Sequence, residues 1–299
     1  MSTSSSHSKT LIALLILLPS LVLAQSVEQR GERKIVSDDF TRNRQQTTAP
    51  PKTQKPKIIY RLASGASTKS KSQTNATVAD LGVTIWRLRP TVASDKGARM
   101  LVRENNKSAE LIPERVEADT IFREGDQIRM SIESPQQGYL YVIDRDLFAD
   151  GSTGPAMLIY PWANMRGGDN RVGPGKLVDI PDQDDSPSYF TARRSTANQA
   201  GEMLTIILTS SPLDLPLSDK PLQISNADLS SWEKAWGGFN QRFEMESGAG
   251  QTWTHVEQQA AHSGGRQLTR EDPAPQTIYR ISVANNKALL LNIRLRYGG

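Results

Sequence analysis

Apolar residues recur along this chain at two spacings, and each spacing predicts its own kind of element. From Val78 onward the dominant spacing is two. Leu81, Val83 and Ile85 alternate with Gly82, Thr84 and Trp86, which reads as a strand. Ile128, Met130 and Ile132 alternate with Arg129 and Ser131, and Tyr139 to Ile143 forms a second run after the turn Ser134–Gly138. Those two are expected to pair as a hairpin. Ala156–Tyr160 is stopped by Pro161, and Lys176–Ile180 by Pro181. Met203–Thr209 is apolar on both faces, as a central strand should be. Residues 91–115 are polar and loop-like, with a short helix expected near 96–104.

The second spacing is helical. Leu229, Trp232 and Trp236 share one face of a helix over Ala227–Trp236. Ser225 or Asn226 caps it, and Gly237-Gly238 ends it. A weaker helix is expected over Thr254–His262. Tyr279–Val283 and Ala288–Arg296 read as a terminal hairpin turning at Asn285-Asn286. Many short strands with turn signals between them predict a mainly β fold: an antiparallel β-sandwich or barrel-like domain with a short C-terminal helix and a terminal hairpin.

The N-terminal quarter has neither spacing. Residues 1–24 read as a secretory signal peptide: Lys9 supplies the basic start, Leu11–Ala24 the apolar stretch, and Val22-Leu23-Ala24 the small residues before cleavage at Gln25. That stretch is shorter than the ~20 residues of a membrane crossing, although an uncleaved anchor is the competing reading. Gln25 stands where a lipoprotein would need cysteine. The expected address is therefore the periplasm or the exterior, with no membrane span after signal removal. Residues 25–76 read as a disordered basic linker, with eleven Lys/Arg against four Asp/Glu. The remainder, 77–299, carries 24 against 28, so the basic balance of the chain belongs to the linker. Within the linker, Ile58–Leu62 is a small apolar island suited to docking as a strand on a sheet edge, its own or a partner's. The expected division is then 1–24 signal, 25–76 linker, 77–225 β domain, and 226–299 a helix-plus-hairpin extension packed on that domain.

The chain has no cysteine. Disulfides, thiolate metal sites, iron–sulfur clusters and a cysteine nucleophile are excluded. No phosphate-binding Gly-rich loop and no Gly-x-Ser-x-Gly elbow is present. His255 and His262 lie seven apart, about 10 Å along a helix, too far for joint metal ligation. Asp144, Asp146 and Asp150 cluster before Gly151 and are the candidate calcium ligands, although Phe148 stands where a calcium loop would need an acid. The same carboxylates are the candidates for acid–base work in a hydrolase. Trp162 opens a Gly-rich loop, and Tyr139 and Tyr141 share one strand face. These three aromatics are the candidate ligand contacts, against the plainer reading of the tyrosines as packing.

An ordered string of residues carries a resemblance. It runs Phe122-Arg123-Glu124-Gly125-Asp126, Gly138-Tyr139-Leu140-Tyr141-Val142, Asp150-Gly151, Leu158-Ile159-Tyr160-Pro161, Asn170-Arg171-Val172, Ile180-Pro181, Gly201-Glu202 and Ser211-Pro212-Leu213. Over about residues 81–212 this resembles the bacterial family named domain of unknown function 4384. The resemblance implies an all-β module of exported or envelope-linked proteins, and it carries over no catalytic residue.

These observations favour an exported, non-catalytic binding or scaffolding module that contacts another envelope protein or cell-wall glycan. Nucleic acid is not an expected partner, and no cofactor is expected apart from the calcium candidate. Two alternatives compete: a carboxylate-dependent hydrolase of wall or peptide substrates, and a packing subunit of a larger exported assembly.

Overall fold

Strands with alternating apolar residues have one face to bury, and here they bury it against one another. The computed structural model describes residues 37, 39–46, 58–63, 77–104, 107–163, 166–262, 264–283 and 288–298. The stretch read as a signal peptide, the rest of the stretch read as a linker, and the Asn285-Asn286 turn lie outside the described residues. Two sheets face each other in a β-sandwich.

The first sheet is built on β2 (Thr77–Pro90). Along one edge of β2 lie β15 (Thr277–Val283) and then β4 (Lys107–Val116), end to end; along the other lies β6 (Gln127–Glu133). Beyond β15 come β14 (Asn240–Met245) and β1 (Tyr60–Leu62); beyond β4 comes β3 (Met100–Glu104). β10 (Leu177–Ile180) and β11 (Phe190–Thr191) pair with β6. The second sheet runs β13 (Leu222–Ile224), β8 (Ala156–Tyr160), β7 (Gly138–Phe148), β12 (Gln199–Thr209), β16 (Ala288–Tyr297), β5 (Ile121–Phe122), with β9 (Arg171–Val172) on β7. Pairing is antiparallel except between β16 and β5.

Between the sheets, Leu81, Val83, Ile85 and Ile128, Met130, Ile132 meet Leu140, Val142, Leu204, Ile206, Leu208, Leu291 and Ile293. Each such buried side chain is worth about 1.5–3 kcal/mol relative to exposure. β6 and β7, expected as a hairpin, lie in opposite sheets because both sets of apolar residues face this one core. The connection through Ser134–Gln137 crosses between layers instead of turning within one. The terminal strand pair is present, with β15 in the first sheet and β16 in the second, for the same reason. Residues 226–299 thus supply β16 beside β12 and β15 beside β2, in the interior of both sheets.

The outer faces are covered too. Helix α1 (Asn226–Trp236) lies on the second sheet, with Leu229 buried and Trp232 stacked on Trp236 at 5.7 Å. Ser225 Oγ caps it by accepting from the Asp228 N–H at 3.0 Å. Helix α2 (His255–Ala261) lies on the first sheet, held by a capping box in which the Thr254 N–H donates to Glu257 Oε2 at 3.0 Å. No helix among the described residues is long and apolar enough to cross a membrane.

The stretch read as polar loop, 91–115, instead contains the β3–β4 hairpin. Met100, Val102 and Leu111 face inward beneath α2, beside Trp86 and Trp253, while Leu101 on the other face is exposed. One apolar face diluted by charge hid the strands. Two segments of the stretch read as linker also belong to the fold. Residues 39–46 and β1 pack Phe40 and Tyr60, both fully buried, against Phe243, Met245 and Ile278.

This double covering dries a set of charges. Arg129, Ser131 and Glu133 alternate with the core residues of β6 and would face water in an uncovered sheet; all are at most 2% exposed. Arg129 pairs with Asp179 at 2.7 Å, Arg44 with Glu133 at 2.6 Å, and Arg115 with Glu257. Trp86 Nε1 donates to Ser131 Oγ at 2.8 Å, and the Ser131 hydroxyl donates to Asp179. The Arg115 and Arg129 guanidiniums lie 5.3 and 5.0 Å from the rings of Trp86 and Trp253.

Removing one partner of such a pair leaves a dry, uncompensated charge. Arg129→Met is expected to cost about 3 kcal/mol or more. The double variant Arg129→Met/Asp179→Leu is expected to recover most of that loss. Urea unfolding of the three proteins reads both effects.

Candidate functional sites at the two ends of the second sheet

Strand β7 carries a different site at each end. At its C-terminal end the inward parity of Leu140 and Val142 continues into Asp144 and Asp146. The register sets Asp146 opposite Glu202 and Asp144 opposite Leu204 on β12. The pairing slips between Gln199 and Gly201, a β-bulge. Gly201 sits at φ +159°, where a Cβ would lie 1.9 Å from the Leu295 carbonyl oxygen, so only glycine fits. Beside the bulge, Gln199 is buried and its amide donates to Asp146 Oδ1 and Glu202 Oε1, both at 2.8 Å. The Tyr297 hydroxyl donates to Glu202 Oε1 at 2.9 Å, and the Ser195 hydroxyl to Asp146 Oδ2 at 3.1 Å. Asp144 Oδ1 is buried and has no hydrogen-bond partner among the described residues.

Three carboxyl groups gathered at one end of an apolar core cannot all ionise freely. Burial, followed by the charge of Asp144, pushes Glu202 up to about 8. Burial, followed by the charge of Asp146, pushes Asp144 up to about 6. Near pH 7 Glu202 is therefore mostly a neutral acid able to donate a proton, with the Asp146 side chain joined to it through the Gln199 amide.

Asp150, read as part of the same cluster, is not in it. It is exposed in the β7–β8 turn, where its Oδ1 accepts from the Ser152 N–H at 2.9 Å and hydroxyl at 2.6 Å. The acid that completes the cluster is Glu202, which shares its parity along β12 with Leu204, Ile206 and Leu208. Among the described residues no group of three or more His, Asp or Glu side chains is arranged to hold a metal ion.

The other end of β7 holds Tyr139, half-buried on the outer face. It pairs across strands with Arg171 on β9 and with Thr209 on β12. Around it opens a cleft of about 390 Å³ lined by Gln137, Arg171, Pro174, Lys176, Ser210 and Gln267. Asp169 holds the two cations in place, 2.9 Å from Arg171 Nε and 3.4 Å from Lys176 Nζ. Tyr141, two residues on, is spent on packing: it is buried, and its hydroxyl accepts from the Leu213 N–H at 2.7 Å. Trp162 packs against the core, its Nε1 donating to the Leu158 carbonyl at 3.1 Å. Of the three aromatics singled out in the sequence, Tyr139 is the one that lines an open polar cleft with cations.

Compared with protein-family models, with curated proteins and with solved structures, the chain matches none.

The carboxyl cluster has a pH signature. Glu202 has its ordinary value of 4.5 when unfolded and about 8 when folded. Its contribution is complete below about pH 4.5 and is lost as pH rises through 8. Glu202→Gln keeps an acceptor for Tyr297 and removes that penalty. The variant is expected to match the parent at pH 4 and exceed it at pH 9 by on the order of 1 kcal/mol after solvent screening, about 2–4 °C in Tm. Thermal unfolding across that range checks the sign.

Proposed function

We propose that the protein is an exported binding module of the cell envelope and that the Tyr139 cleft is where it meets its ligand. The observation that carries this reading is the grouping of a half-exposed aromatic ring with two cations and two side-chain amides in one open cleft. An aromatic face covers the apolar face of a sugar ring, while amides and guanidinium donate to hydroxyl and carboxylate oxygens. A wall glycan bearing peptide carboxylates has that chemistry. The signal-like N terminus and the resemblance to domain of unknown function 4384 support the same address.

A second reading has its own observation. The neutral acid at Glu202 beside Asp146 is the pairing a hydrolase uses, and it points to wall or peptide substrates. Turnover of such substrates by the parent, lost in Glu202→Gln, would favour this reading over simple binding. One dominant protein captured from the native envelope at fixed stoichiometry would favour the packing subunit.

Binding of soluble wall fragments to the mature protein, followed by calorimetry, tests the leading reading. Tyr139→Ala is expected to weaken binding about tenfold, which is about 1.4 kcal/mol. Fragment binding that Tyr139→Ala leaves unchanged would move the ligand away from this cleft.

A further inference from the structure

The outer face of the first sheet carries a groove filled by the N-terminal arm, residues 39–46 and 58–63. The arm is anchored at three points. The Phe40 ring packs against Pro275 and over Gly82, where a Cβ would come within 2.5 Å of Phe40 Cζ. Arg44 reaches Glu133 with two parallel hydrogen bonds of 2.7 and 2.6 Å and donates to the carbonyls of Thr269, Asp272 and Pro273 at 3.1–3.2 Å. β1 adds itself to the edge of β14, pairing Tyr60 with Met245 and Leu62 with Phe243, while the Tyr60 hydroxyl donates to the Pro275 carbonyl at 2.6 Å. Main-chain contacts complete the fit: the Arg270 N–H donates to the Gln45 carbonyl at 2.9 Å.

This is recognition of a peptide, with strand addition at an edge and pockets for particular side chains. Every receiving group named above belongs to the chain beyond residue 77. The groove also needs an occupant. Glu133 is 2% exposed with the arm docked, and apart from Arg44 its carboxylate has, among the described residues, the Gly175 N–H at 3.2 Å. Undocking the arm takes away that carboxylate's cation and uncovers the apolar residues that Phe40 and Tyr60 pack against. The arm joins β2 through residues 64–76, and thirteen residues extend to about 45 Å. An identical arm on a second copy carries the same Phe40, Arg44 and Tyr60.

We infer that this groove takes the arm of a second copy of the chain as well as its own, so that the protein forms arm-exchanged pairs. Two copies exchanging identical segments make every contact twice and leave neither groove empty, a closed and self-limiting arrangement. The cis arm competes at a millimolar-range effective concentration, so exchange is favoured where chains fold together at high local concentration. This inference is independent of the ligand at Tyr139.

The absence of cysteine makes the test direct. Gln45 and Gln267 are exposed and face each other across the arm–groove contact, Nε2 to Oε1 at 3.0 Å. The double variant Gln45→Cys/Gln267→Cys, treated with a short bis-maleimide, should crosslink within one chain and so report the docked arm. Chains carrying only Gln45→Cys are then mixed with chains carrying only Gln267→Cys, refolded together at about 1 mM, and treated alike. The expected product is a dimer in which peptide mapping joins position 45 of one chain to position 267 of the other. If the double variant crosslinks and the mixture yields no 45-to-267 link, the exchange does not occur.

Discussion

A guanidinium cannot be taken out of water without its counter-charge, and three of them are taken out of water on one face of one sheet. Arg44, Arg115 and Arg129 each meet a carboxylate there, from Glu133, Glu257 and Asp179. The partners come from different elements: the N-terminal arm and β6, β4 and α2, β6 and β10. Each pair therefore ties a covering segment or a neighbouring strand to the sheet, and each would be costly to half-remove. Ion pairs of this kind add little net stability over an apolar substitute; what they supply here is a fixed set of positions. The arm docks where Glu133 requires a cation, and α2 docks where Arg115 requires an anion.

The same covering explains why function, if it lies on the second sheet, lies at that sheet's ends. Most of both faces of the two sheets is covered by the shared core, the helices, the arm or the segment carrying Leu213 and Leu215. Open chemistry is left where strands outrun their cover. β7 does so at both ends, toward the core side at Asp144 and Asp146 and toward the outer side at Tyr139. The bulge at Gly201 shapes the first end by setting Gln199 between the side chains of Asp146 and Glu202. The cross-strand neighbour Arg171 shapes the second.

Much of this was legible from spacing. The doubly apolar run Met203–Thr209 is the central strand β12, hydrogen-bonded on both edges. The Leu229–Trp232–Trp236 face is the buried face of α1, and Ser225 is its cap. What spacing could not supply was which sheet each strand joins. β6 and β7 are adjacent in sequence and carry like patterns, yet a shared core demands that they face each other across the layers. Arg129, Ser131 and Glu133 looked like a wet face, because a period of two separates two faces without saying what covers either. The arm was hidden by its composition: its main anchors, Phe40, Arg44 and the Ile58–Leu62 island, are set among linker-like neighbours. In the site, Asp144 and Asp146 stood out as a cluster, and strand parity adds Glu202 to it. Asp150 lies past the end of β7, in the turn, where strand alternation no longer sets the side chain's direction and its carboxylate bonds Ser152 instead.

Hydrogen–deuterium exchange on the chain from residue 25 onward tests whether the arm and the charges it covers are part of one cooperative fold. Amides at Ala63 and Glu246, which bond across the arm's contact with β14, are expected to exchange as slowly as those of β6 beneath the Arg44–Glu133 pair. Arm amides exchanging at free-peptide rates while the sandwich stays protected would contradict it, and Glu133 would then need another cation.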